Sequence, residues 1–366
     1  MSDYSDLKTQ RYEVFDILRG VMCILIFLGH APGFIMSMDN NITREWNRMF
    51  TGGPIVTCWF VMAGFFAYIS LSKTKESDLY FFKRKVKRFY PVYIFCFFLS
   101  LLSFFVAPAE VVGGVRLREI IITLLLHLTL TQALVPTEAS ICAYCSTSWY
   151  LSCLMLLYLT VVPLYKLIMW LKMKKGNGVW KKYICIAWGS LYFAEMFCIA
   201  CVYKSPFMYE FPVFRFCEFS GGIVIGAMIC DKQNLTIKNN RNYILPVLQI
   251  ISILAWIVSM YIFHNIGIYG WKHMISESPF IMMVIYTLAL SGENKIYEGI
   301  LSRILMYISE YSLEIFLIHY SVLRFFRMIS ISSYGLSLIY CAGAFLVSLK
   351  LAEIVNKLSK VVKKNG

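Results

Sequence analysis

The first apolar segment of the chain, FDILRGVMCILIFLGH, contains Arg19 near its start and ends at His30. Arg19 and His30 are eleven residues apart, so a helix places them within about 20° of one face and about 16 Å apart along its axis. We expect Arg19 to bind a phosphate-bearing donor and His30, a buried neutral imidazole, to accept a proton. A structural interpretation stays open, in which Arg19 extends to the lipid headgroups and pairs with Asp16, while His30 bonds a helix carbonyl.

A second group of candidate residues is the basic segment YFFKRKVKRFYPVY, which starts at Tyr80. Its cations precede an apolar run whose opening turn we expect to contain Pro91. They are Lys83, Arg84, Lys85, Lys87 and Arg88. Cations at a helix start suit phosphate, although a cytoplasmic loop of a membrane protein has the same composition.

Two later apolar segments also contain charged residues. Arg215 and Glu218 are three residues apart, which favours a structural pair within one helix. The segment YISEYSLEIFLIHYS carries Glu310 and Glu314 on one helical face and His319 on another. His319 is interpreted either as a second active-site group or as a hydrogen-bond centre between two helices.

The composition predicts a membrane protein that positions these groups in a helical bundle. Of the 366 residues, 59% are hydrophobic and 15% charged, and the mean hydropathy is +0.65. The net charge of +14 is concentrated in short clusters between apolar runs. A positive-inside bias explains these clusters, so we predict no nucleic-acid partner. Most of the twelve cysteines lie in apolar runs and are expected to be reduced packing residues.

A helical span needs about 20 mostly apolar residues, which gives eleven candidate segments. They are roughly 15–36, 52–71, 89–107, 120–137, 149–170, 183–203, 211–230, 243–263, 277–292, 304–323 and 334–353. If 120–137 is a re-entrant or surface helix, ten segments cross and both termini are cytoplasmic. Of the 35 lysines and arginines, 24 then lie inside and 8 outside. We therefore predict an all-α bundle with ten transmembrane helices.

The bundle is expected to be one domain covering residues 1–366, with a cytoplasmic segment at 1–13 and a basic cytoplasmic tail at 354–366. No small-residue cleavage site follows the first apolar run, so we expect an uncleaved first span. Residues 108–148 form a long outer loop that contains Cys142 and Cys145. This Cys-x-x-Cys pair could form a disulfide or half of a metal site, but no second pair completes a zinc site, and we predict no metal.

Five motifs, in order along nearly the whole chain, resemble the membrane-bound acyltransferase-3 family. The first is Asp-x-x-Arg-Gly followed by Arg-x10-His, which matches Asp16, Arg19, Gly20 and His30. The others are FVMAGFFAY (60–68), KVKRFYPVY (85–93), SWYLSCLMLLYLTVVPLY (148–165, with Trp149) and YSLEIFLIHYSVL (311–323). Two positions depart from the family pattern. Lys85 replaces an arginine, and Leu154 stands where many members have a glutamate.

The resemblance implies a ten-helix core, an acyl-coenzyme A donor and an acceptor hydroxyl, often on a sugar. It assigns His30 as catalytic base, Arg19 as its partner near the donor path, and Lys85 with Arg88, aided by Arg84, as ligands of the donor phosphates. Glu310 or Glu314 could replace the missing glutamate.

We therefore expect a multi-pass protein of a bacterial cell membrane that acetylates a surface polysaccharide or its lipid-linked precursor. The expected partners are acyl-coenzyme A, this acceptor and membrane lipids, with no permanently bound cofactor. A transporter or flippase for a glycan or small anion and a related scaffold without activity remain alternatives. The acceptor hydroxyl, the acyl chain and the oligomeric state are left open.

Overall fold

The computed structural model describes residues 12–35, 52–74, 77–106, 117–135, 145–176, 178–201, 209–233, 244–265, 271–292, 297–327 and 334–365. These residues form thirteen α-helices and two short 3-10 helices, with no strand among them. The α-helices are α1 (Glu13–Ile35), α2 (Gly52–Thr74), α3 (Asp78–Val106), α4 (Leu117–Leu128), α5 (Trp149–Tyr158), α6 (Val161–Lys175), α7 (Val179–Cys201), α8 (Pro212–Gln233), α9 (Ile244–Asn265), α10 (Trp271–Ala289), α11 (Ile300–Glu310), α12 (Ser312–Arg327) and α13 (Tyr334–Asn365). The predicted all-α class is confirmed for the described part of the chain.

Within the described ranges, five helices are long and apolar enough to cross a membrane, namely α1, α2, α8, α9 and α13. The pair α5 and α6 makes a sixth if it acts as one span bent by 43°. The chain therefore has the architecture of a helical multi-pass membrane protein. Of the candidate spans, α2 and α8 are the most buried, and α9 is the most apolar and the least buried. This order of burial places α2 and α8 at the centre of the bundle and α9 at its edge.

The central contact between α2 and α8 depends on glycine. A Cβ atom added to Gly64 would overlap the carbonyl oxygen of Phe219, and one added to Gly222 would overlap that of Val61. Small residues let two backbones approach this closely, and in a membrane such contacts provide much of the helix association. The FVMAGFFAY motif therefore has a packing role at Gly64.

Two segments predicted as single continuous spans are broken. The span 149–170 divides into α5 and α6, and the span 304–323 divides into α11 and α12. At the second break the Tyr311 N–H donates to Ile308 O at 3.1 Å, a tighter turn than the α-helical one. Pro163 follows the first break by a few residues, and the second break lies among the polar residues Ser309, Glu310 and Ser312. The second break starts a new helix two residues before Glu314.

The prediction that Pro91 lies in the opening turn of its span is wrong, because α3 begins at Asp78 and contains Pro91 in its interior. The basic segment is therefore part of α3 and not a loop before it. Proline removes one N–H from the ladder, and the flanking turns continue the helix. With 29 residues, α3 is about 44 Å long, so it extends well beyond a hydrocarbon core of about 30 Å.

The segment predicted not to cross is short in the structure. Helix α4 has twelve residues and a length of about 18 Å, too little for the hydrocarbon core. Its end is fixed to α3, because the Tyr90 and Tyr93 hydroxyls donate to Leu128 O and His127 O, each at 2.6 Å. That this segment is a re-entrant or surface helix stays a prediction.

Candidate active site

A cavity of about 1510 Å³ lies among α1, α2, α3, α5, α11, α12 and α13. Eight charged side chains line it. They are Arg19, Lys73, Arg84, Lys85, Arg88 and Lys360, with Glu310 and Glu314. Six cations against two carboxylates make the cavity strongly positive, as a site for a polyanionic ligand requires.

The three residues predicted to bind phosphate all line this cavity. Arg88 is three residues from Lys85 and four from Arg84, so its side chain neighbours both on the surface of α3. Lys83 and Lys87 are exposed and absent from the cavity lining. The structure therefore divides the basic segment into a cavity face and a solvent face.

Neighbouring side chains hold two of these cations in place. Arg84 Nη2 donates to the Ser70 hydroxyl at 2.9 Å. Lys85 Nζ lies 5.2 Å from the ring centre of Phe81 and 5.4 Å from that of Tyr158, within cation–π range. Both cations are therefore positioned by α2, α3 and α5 before any ligand binds.

Arg19 approaches the cavity from α1. Its Nη1 lies 3.1 Å from Asp16 Oδ1, the pairing that their spacing predicts, and its side chain is 34% exposed. Gly20 lets this turn of α1 contact α11, because a Cβ there would overlap the Leu305 carbonyl oxygen. The Asp-x-x-Arg-Gly motif thus positions a cation and also permits a close helix contact.

The two glutamates face the same cavity from either side of the break at Tyr311. Glu314 is buried and accepts a hydrogen bond from Asn356 Nδ2 at 2.6 Å, whereas the exposed Glu310 lies 3.9 Å from Lys360 Nζ. Leu154 lines the cavity as well. The carboxylates expected to replace a glutamate at that position therefore share the cavity with it.

His30 and His319 form a pair, with His30 Nδ1 3.0 Å from His319 Nε2. The other ring nitrogen of His319, Nδ1, lies 3.1 Å from Ile315 O and 2.8 Å from Phe316 O. Carbonyl oxygens only accept, so the His319 proton is on Nδ1 and its Nε2 is an acceptor. It follows that His30 carries its proton on Nδ1, which leaves a lone pair on His30 Nε2.

The lone pair of His30 points to the start of α2. A methyl group on Gly52 would lie 3.9 Å from His30 Nε2, and glycine leaves that space open. His30 is half-buried, whereas His319 is fully buried. The arrangement can take a proton from a group that approaches Nε2 at this end of α2.

The spacing of Arg19 and His30 predicts that both side chains face one site, but the structure does not place both at the cavity. Arg19 lines the cavity, whereas neither histidine does. Phe316 lines the cavity, and its ring centre lies 6.0 Å from that of His319. The ring of Trp59, which also lines the cavity, packs against Phe316 at 4.8 Å. We call these two residues the aromatic wall. With about 16 Å between Arg19 and His30 along α1, Arg19 cannot contact an atom that reacts at His30. Its position is that of a cavity cation paired with Asp16.

Trp149, a further candidate, belongs to a different cluster. The fully buried Arg215 pairs with Glu218, with Nη1 2.9 Å from Oε2, as predicted. The rings of Trp149 and Tyr209 lie 5.4 Å and 4.2 Å from its guanidinium. Trp149 is absent from the cavity lining, so its contacts are those of a residue that packs against a buried ion pair.

The Cys-x-x-Cys pair is only half described. Cys145 is a buried free thiol 3.8 Å from Leu317 O, and Cys142 lies outside the described residues. No group of three or more His, Cys, Asp and Glu side chains that could hold a metal occurs within the described ranges.

Several cavity residues were not predicted from the sequence. Lys360 and Asn356 lie in the segment 354–366, which is predicted as a cytoplasmic tail. The sequence pattern does not indicate which helices this part of α13 packs against. Trp59 had no signal beyond its apolar surroundings. Lys73 belongs to one of the basic clusters that a positive-inside bias explains.

A comparison with protein-family models matches residues 12–352 to an acyltransferase domain. No curated protein and no solved structure matches the chain. The match contains both histidines, the cations of α1 and α3, and both glutamates. The chain therefore belongs to the acyltransferase-3 family of membrane acyltransferases.

Proposed function

We propose that the protein is an O-acyltransferase that moves an acetyl group from acetyl-coenzyme A to a hydroxyl of a cell-surface polysaccharide or its lipid-linked precursor. In this proposal the chain crosses the cell membrane of a bacterium ten times, with both termini in the cytoplasm. The observation that carries the proposal is a cationic cavity separated by one aromatic wall from a histidine with a free Nε2 lone pair.

The charge of the cavity supports a coenzyme A donor. Coenzyme A has a diphosphate and a phosphomonoester, and the phosphomonoester alone carries about −1.5 to −2 charges. The forked guanidinium groups of Arg84 and Arg88 suit two phosphate oxygens at once, and Lys85 adds a point charge. Arg19 joins this set, held by Asp16.

The chemical step uses His30 Nε2 as the base. It removes the proton from the acceptor hydroxyl while the oxygen attacks the thioester carbonyl carbon. The tetrahedral intermediate then breaks its carbon–sulfur bond, and the coenzyme A thiolate takes the proton from His30. His319 Nε2 accepts from His30 Nδ1 throughout and stabilises the transient imidazolium. The thioester reaches His30 from the cavity when the rings of Trp59 and Phe316 move apart.

Replacing His30 by alanine tests the base. Transfer of radiolabelled acetyl from acetyl-coenzyme A to the glycan fraction of membranes should fall by about 10²- to 10⁴-fold. Coenzyme A binding by the purified variant should persist, because His30 does not line the cavity. Unchanged acetylation at normal protein abundance would refute this mechanism.

The donor site has a matched control on the same helix. The K85A/R88A variant should lose most coenzyme A affinity, whereas K83A/K87A removes two cations from the solvent face and should retain it. Binding can be measured by calorimetry on purified protein. Equal losses from both double variants would contradict the cavity as the donor site. Absence of coenzyme A binding by the wild type would instead favour a transporter.

A further inference from the structure

Trp59 has a buried N–H group for which the fold provides no hydrogen-bond acceptor among the described residues. Its side chain lines the cavity and is 7% exposed. Its indole Nε1 is buried and finds no acceptor among the described residues. By contrast, Trp188 Nε1 donates to Cys217 O at 2.9 Å, and Trp256 Nε1 to Glu277 Oε2 at 2.7 Å. Buried N–H groups are almost always satisfied, so an unsatisfied one at a cavity wall points to a ligand.

The position of Trp59 relates this N–H to the reacting atoms. Gly52, seven residues earlier on α2, is the residue beside His30 Nε2. Seven residues correspond to about 10 Å along the helix, and Cα–Cβ bonds tilt towards the helix N-terminus. The indole of Trp59 therefore extends towards the level of His30. The indole ring of Trp59 also packs against Phe316, whose ring contacts that of His319.

We infer that the Trp59 indole N–H is a catalytic hydrogen-bond donor that binds the thioester carbonyl oxygen and the oxyanion formed from it. This inference rests on the proposed function. When the acyl group parts the aromatic wall, its carbonyl oxygen supplies the acceptor that the indole lacks in the free protein. The hydrogen bond strengthens as negative charge develops on that oxygen, which is the condition for lowering the barrier. Arg19 cannot bind this oxygen, because Arg19 and His30 are about 16 Å apart along α1.

The substitution Trp59→Phe keeps an aromatic ring in the wall and removes the N–H. We expect kcat for acetyl transfer to fall about 10²-fold, the effect of losing one oxyanion donor. The KM for acetyl-coenzyme A should change little, because the phosphate-binding cations are intact. The melting temperature should stay the same or rise, because an unsatisfied buried donor has been removed.

Trp188→Phe is the matched control. It removes an indole N–H that has a partner and lies outside the cavity lining, so the melting temperature should fall while kcat is retained. Incorporation of benzothienylalanine at position 59 replaces the N–H by sulfur in an almost unchanged ring. It should reproduce the kcat loss of Trp59→Phe even if that variant folds poorly.

The outcomes separate the inference from the proposed function. Wild-type activity together with full activity of the benzothienylalanine variant would overturn the inference alone. A parallel fall of kcat and melting temperature in both position-59 variants would also overturn it, because that pattern is structural. A wild type that neither binds coenzyme A nor transfers acetyl would overturn the proposed function and this inference with it.

Discussion

Replacing His319 tests the proton arrangement in the histidine pair. In the wild type His30 Nδ1 donates to His319 Nε2 across 3.0 Å. Leucine at position 319 fills the space but removes the imidazole acceptor of His30 Nδ1, while the hydrogen bond of His30 to the Ile26 backbone remains. The imidazolium formed during transfer then loses its stabilising contact, and the ring can adopt the other tautomer.

The expected magnitude follows from that single hydrogen bond. A hydrogen bond to a charged group contributes about 1.5–3 kcal/mol, so its loss from the imidazolium corresponds to roughly 10- to 150-fold in rate. The loss should appear in kcat for acetyl transfer, while the KM for acetyl-coenzyme A stays constant, because His319 does not line the cavity.

Glutamine at position 319 provides the control for a merely structural role. Its Oε1 can occupy the place of Nε2 and accept from His30, although it cannot reproduce the Nδ1 contacts to Ile315 O and Phe316 O. We therefore expect His319→Gln to recover much of the activity lost in His319→Leu. Equal kcat values for the two variants, at matched abundance and melting temperature, would refute the assignment of the proton to His30 Nδ1.

Three further predictions concern stability and the donor site. Glu218→Gln leaves the buried Arg215 uncompensated and should reduce the free energy of unfolding by about 3–5 kcal/mol, measured by thermal melting, whereas R215M/E218L should recover most of this loss. Lys360→Ala should weaken coenzyme A binding up to about fivefold, while Lys357→Ala, on the same helix but outside the cavity lining, should not; equal effects would exclude a direct contact. Coenzyme A affinity of the wild type should fall as ionic strength rises from 0.01 M to 0.15 M, because the screening length shortens from about 30 Å to about 8 Å; a salt-independent affinity would contradict an electrostatic donor site.

The sequence predicted the residues that act locally on one helix. Asp16 and Arg19 are three residues apart and form an ion pair. The family resemblance assigns Arg84, Lys85 and Arg88 to one site, and all three line the cavity. Charge clusters and apolar runs indicated the helical membrane class. Each of these features depends on residues that are close together in the sequence, so the sequence pattern predicts it.

Other features depend on which helices meet, and the sequence pattern contains no information on that. The pairing of His30 with His319 joins α1 to α12 over 289 residues, and the sequence left the role of His319 open. The break at Tyr311 lies between Glu310 and Ser312, but hydropathy alone predicts a single span there. Trp59 is predicted as one more apolar residue, because its missing hydrogen-bond partner is visible only when the surrounding helices are placed.

The aromatic wall has a consequence for the membrane as a barrier. On one side of it the cavity has a rim of exposed cations, including Lys73, Arg88 and Lys360. On the other side two hydrogen-bonded imidazoles could relay protons. Packed rings offer water few hydrogen-bond partners, so Trp59 and Phe316 interrupt a continuous water path between the two. If His30 is the base that we propose, the resting protein would keep it within the bilayer without discharging the proton gradient, and a bound acyl chain would open the path.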